Sequence, residues 1–154
     1  MKKCFRLIVL CLAACLLCAA CCAEGAAPTD PPFIDMDLAG LSGTFVYAQV
    51  YNLMYDYQQW LGKTIRIAGY YNYYNDEANG VVYHACIIPD ATACCAQGIE
   101  FIWYGEHPWP DAYPAIGTNL TVTGRLENYE DNGTQYLHLV DADVVFEETP
   151  EELK

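Results

Sequence analysis

Gly62-Lys63-Thr64-Ile65-Arg66-Ile67-Ala68-Gly69 and Gly117-Thr118-Asn119-Leu120-Thr121-Val122-Thr123-Gly124 carry one pattern twice: glycine, two apolar residues at alternate positions, glycine. Alternation puts both apolar side chains of each copy on one face of a strand. A glycine inside a strand lets the backbone bend sharply, which closing a small sheet on itself requires. The spacing therefore predicts two bent strands of a curved sheet rather than two flat ones.

Working outward, period-two runs cover 63–71, 81–88, 98–103, 118–126 and 134–140, the last extending toward 146. Asn79-Gly80 and Asn132-Gly133 are hairpin-turn pairs. Five antiparallel strands follow, with the repeat in the first and the fourth. That distribution resembles the OB-fold, a five-stranded barrel, over roughly 62–146. Ahead of it, Val46, Val50, Leu53, Tyr57, Trp60 and Leu61 recur at three- and four-residue spacing, one face of a helix. Thr44 is the expected cap and Gly62 the expected end. The expected fold class is mainly β: a five-stranded OB-like antiparallel barrel preceded by one helix.

Six of the nine cysteines crowd the first 22 positions. There, Lys2, Lys3 and Arg6 precede an apolar run from Leu7 to Leu17 and then small residues, the order of a secretory signal. The run is short for a spanning helix, which needs about 20 residues. Lipoprotein signals resemble this segment. Leu12-Ala13-Ala14-Cys15 matches their final box but leaves a short apolar core, whereas Cys18-Ala19-Ala20-Cys21 has a weaker first letter and a better length. Cys21 is the expected lipidation site and Cys15 the alternative; cleavage near Ala23 or Ala27 would instead release a soluble exported protein. Residues 1–21 then form the signal, 22–43 a proline-rich tether, 44–146 the helix and barrel, and 147–154 an acidic tail.

Loss of the leader leaves Lys63, Arg66, Arg125 and Lys154 against all 20 acidic residues, a net charge of −16. Such a surface repels phosphate backbones, so no nucleic-acid partner is expected, although Tyr70, Tyr71, Tyr73, Tyr74 and Tyr83 would otherwise suit a stacking platform. On alternation about half of these tyrosines point inward.

The domain's own cysteines are Cys86, Cys94 and Cys95. A four-residue connection at 89–92 would set Cys86 opposite Cys95 and His84 opposite Gln97, collecting Val82, His84, Cys86, Cys95, Ile99 and Phe101 on the interior face, with Cys94 outward. Three chemistries compete. In an oxidising compartment Cys86 and Cys95 are the candidate disulfide. His84, Cys86, Cys94 and Cys95 are candidate ligands for Zn or Cu, which suit thiolate and imidazole. The third reading is a redox thiol pair. No nucleophile elbow, phosphate loop or two-histidine zinc helix is present, and no catalytic residue is assigned.

Trp60-Leu61-Gly62-Lys63 at the first strand and Cys94-Cys95-Ala96 before the third resemble small uncharacterised lipoproteins of Gram-positive anaerobes, and more distantly the extracellular domain of a putative two-gene permease family. Gln97-Gly98 stands where that family has Ala-Asp. The resemblance implies an OB-like exported domain associated with transport. The expected function is an extracytoplasmic, lipid-anchored binding or accessory module, not an enzyme, whose cysteines are structural. Its expected partners are the membrane, through the lipid, and a transporter or surface protein. The alternatives are a Zn- or Cu-binding accessory of a transporter, and a thiol redox protein.

Overall fold

The alternating runs become strands, and they extend further than their apolar residues alone indicate. A computed structural model describes residues 33–89 and 95–147. Cys15, Cys21, Cys94 and 148–154 lie outside them, so the expected leader, the expected lipidation sites and most of the expected tail are not described. The strands are β1 (Met36–Asp37), β2 (Thr64–Asp76), β3 (Val81–Pro89), β4 (Ala96–Trp103), β5 (Asn119–Asp131) and β6 (Thr134–Phe146). Helix α1 (Gly43–Tyr55) and a 3-10 turn (Tyr57–Trp60) precede β2. The class is mainly β, with one helix, as expected.

The sheet runs β1-β2-β3-β4-β6-β5, and β5 returns to pair with β2. Strands β2 to β6 therefore form a ring in which each has a partner on both sides. Within the ring β4 and β6 are parallel and the other pairs antiparallel. β2 pairs with β5 from Thr64 to Tyr70 and with β3 from Tyr70 to Asp76, so it passes from one neighbour to the other at Tyr70.

Gly69 sits at that handover. A Cβ there would stand 2.3 Å from the Ile87 carbonyl oxygen and 2.8 Å from Cys86 Sγ. Gly124, its counterpart in the repeat, lies at a register shift opposite β6, where a Cβ would meet Leu139 Cβ at 2.9 Å. Both mid-strand glycines thus mark places where a side chain would collide with a neighbouring strand, a close approach where the repeat predicted a bend. At the tip of β5–β6, Asn132 (φ 50°) and Gly133 (φ 79°) both take left-handed backbone, as a two-residue hairpin turn demands.

Val46, Val50 and Leu53 of α1 are buried, in the expected helical period. Ser42, with extended backbone, holds the N-cap position in place of Thr44, and the helix stops at Tyr55, short of Gly62. Tyr57 and Trp60, expected on the helix, reach the core from the 3-10 turn. A second correction concerns the tether. Met36 pairs with Ile65, Leu38 is buried in the core, and the Asp35 N–H donates to the Thr64 carbonyl, so the fold begins well before residue 44. Among the described residues no helix is long and apolar enough to cross a membrane.

Candidate functional site

Alternation along β2 and β3 decides which tyrosines turn inward. Tyr71 and Tyr73 do, opposite Cys86 and His84, whereas Tyr74 and Tyr83 form a cross-strand stack on the outer face. Tyr71 is fully buried, and its hydroxyl lies 2.8 Å from His84 Nδ1. The imidazole of His84 stacks on Tyr113, with ring centres 3.9 Å apart and planes 8° from parallel.

Tyr113 belongs to the 104–118 connection between β4 and β5, which also brings Trp109 edge-on to Tyr73 at 5.4 Å. Two backbone hydrogen bonds fasten the end of this connection to β2: Tyr71 N–H to the Thr118 carbonyl, and Gly117 N–H to the Tyr71 carbonyl. At its start His107 lies flat on Trp103 at 3.5 Å, and its Nε2 is 2.9 Å from the Tyr104 carbonyl. His107 is thus a stacked ring. A carbonyl only accepts, so Nε2 carries the proton.

These rings enclose a cleft of about 400 Å³ lined by Tyr71, Tyr73, Trp109, Tyr113, Pro114 and Ile116. Burial pushes His84 down to about 4, so the imidazole is neutral near pH 7. Burial also pushes Tyr71 up to about 12, and the neighbouring Tyr113 adds to the rise. Tyr71 and His84 share one hydrogen bond, and Tyr113 stacks on the imidazole, so the three rings order one another beside the cleft.

The cysteines are arranged differently from the sequence expectation. Cys86 pairs with Ile99, not Cys95, and Ile88 pairs with Gln97. β4 enters the sheet later because the connection from Pro89 to Ala96 is longer than four residues. The displacement is four residues, an even number, so the faces survive: Cys86, Ile99 and Phe101 are all buried. Cys86 is a buried free thiol held up at about 12 by desolvation, whereas Cys95 is exposed ahead of β4. The Cys86–Cys95 disulfide is not formed. Among the described residues no three His, Cys, Asp or Glu side chains gather as a metal site, and Nδ1 of His84 is engaged by Tyr71. Cys94, the remaining candidate ligand, lies outside the described residues.

The sequence reading missed Trp109 and Tyr113. Their signal was the aromatic and proline content of 108–114, which has no periodicity to assign it to a face. No protein-family model, no curated protein and no solved structure matches the chain.

Proposed function

We propose that the chain is an exported, lipid-anchored binding module that performs no covalent chemistry, with the cleft over Tyr71 as its ligand site. One observation carries this reading. The cleft lining contains aromatic rings, prolines and aliphatic groups but no charged side chain, and its side-chain polar groups are tyrosine hydroxyls and the Trp109 indole. Such a surface suits a neutral ligand that offers a CH-bearing ring face to stack and oxygen atoms to accept hydrogen bonds. Sugar and prolyl rings have that chemistry. The neutral His84 and the high pKa of Tyr71 suit a fixed floor rather than a proton shuttle. The mature charge of −16 supports the exclusion of nucleic acid and directs the module toward neutral or cationic partners, a transporter or surface protein of the same membrane among them.

The test is an NMR titration of the soluble domain with a neutral oligosaccharide and, separately, with an oligoproline peptide. Saturable shifts at Tyr73, Trp109 and Tyr113 with one of them are expected, weakened by roughly tenfold in Trp109→Ala. Absence of saturable shifts with both ligands, or equal binding by Trp109→Ala, overturns the proposal.

A further inference from the structure

A second concavity lies on the outer face of the sheet, away from the aromatic cleft. It has a volume of about 310 Å³, and Met54, Tyr57, Ala85, Glu100, Tyr136 and Leu137 line it together with Gly98 and Gln135. The sheet register explains why it exists. Ala85 pairs with Glu100 and Ile87 with Gly98, so the two positions beside the carboxylate on this face carry the smallest side chains available.

Glu100 is half-buried, and the Tyr129 hydroxyl donates to its Oε2 at 2.6 Å. Burial raises its pKa, the Tyr129 hydrogen bond lowers it, and nearby His138 adds a smaller lowering effect. His138, directly opposite on β6, is itself pushed toward the neutral form by burial. The cations of the described chain are engaged elsewhere. Lys63 sits 4.7 Å over the Trp60 ring, Arg66 pairs with Asp37, and Arg125 lies between Glu127 and Asp141. Glu100 is thus a half-buried carboxylate, oriented by a tyrosine, that faces a concavity; among the described residues no lysine or arginine pairs with it, and His138 opposite is held toward its neutral form by burial. Burying such a charge is unfavourable unless a counter-charge arrives.

We propose that this concavity binds an alkylammonium group, with the ammonium on Glu100 and its carbon stem along Met54, Ala85 and Leu137. The Tyr57 and Tyr136 rings add faces that favour a cation. The acidic surface of the domain raises the local concentration of cations around the groove. This site shares no lining residue with the aromatic cleft and stands independently of the function proposed for it.

The probes are n-pentylammonium, its neutral counterpart n-pentanol, and N-acetyl-lysine methylamide, each titrated into the domain and followed by amide NMR. Pentylammonium or the lysine derivative is expected to shift Ala85, Gly98, Glu100 and Tyr136 saturably, while pentanol at equal concentration does not. The tighter of the two amines tells a free amine from a lysine side chain. Glu100→Gln, which keeps the shape, and Ala85→Leu, which fills the groove without touching the charge, should each weaken amine binding roughly tenfold or more. Trp109→Ala should leave it unchanged, so failure here is distinguishable from failure of the cleft proposal. Equal binding of alcohol and amine, wild-type affinity in folded Glu100→Gln, or shifts spread over the acidic surface without saturation would overturn it.

Discussion

His84 links the aromatic end of the ring to pH. Its ordinary value of 6.5 falls to about 4 in the folded chain, because burial disfavours the imidazolium. Between those values the unfolded chain binds more protons, so stability rises with pH and is lost progressively as pH falls from about 6.5 toward 4. Glu100, raised by burial, acts in the opposite sense above its ordinary 4.5, since protonating it relieves a cost of the folded state. The contribution of His84 is therefore read by difference: urea midpoints of His84→Gln should fall less than those of the wild type over this range. An identical pH dependence would show that folding leaves the His84 pKa unshifted. Gly69 supplies a sharper test. Its missing Cβ leaves room for the Ile87 carbonyl and the Cys86 sulfur, and backbone cannot yield as a flexible side chain can. Gly69→Ala should cost roughly 3 kcal/mol in chemical denaturation, whereas Gly40→Ala, where a Cβ meets nothing within 4 Å, should cost far less.

At the scale of elements, what was legible depended on periodicity. The five long strands and the buried face of α1 each repeat a signal over several residues, and each is present; the Asn-Gly pairs were legible by residue type, Asn132-Gly133 as a two-residue turn and Asn79-Gly80 at the end of the longer 77–80 connection. Side-chain faces were legible for the same reason: an even error in register left Cys86, Ile99 and Phe101 in the core. Pairing was not legible, because the length of the β3–β4 connection carries no pattern, and with it the disulfide expectation failed. β1 was missed since two residues cannot show a period. It leaves a prediction, because Leu38 is 4% exposed where a tether residue would be solvated. Leu38→Ala should destabilise the domain by about 2–4 kcal/mol, measured by thermal or urea unfolding. A change near zero would return 36–38 to the tether. The aromatic connection 104–118 was the costliest omission, since its function depends on where Tyr71 and Trp103 await it rather than on its own sequence pattern.

For the whole molecule, charge and anchorage set the expectations. A net charge of −13, or −16 if the leader is removed, makes the folded state self-repulsive at low ionic strength, so the melting temperature should rise between 10 mM and 150 mM salt, roughly the range over which the Debye length shrinks from about 30 to 8 Å. A melting temperature that falls with salt would mean that attractive pairs dominate. If the leader ends at Cys21, metabolic labelling with a fatty acid should mark the wild type and Cys15→Ser but not Cys21→Ser; the reverse pattern would place the lipid on Cys15. The ring adds a constraint on the order of events. β2 cannot complete its pairing until β5 is present, since Ile65 must meet Gly124, far along a chain that emerges amino end first. A polypeptide delivered in that direction has presented most of its length before the circle of strands can close. Before that moment the half of β2 destined for β5 has no lasting partner on that side. Closure of the ring is thus timed by the last third of the chain.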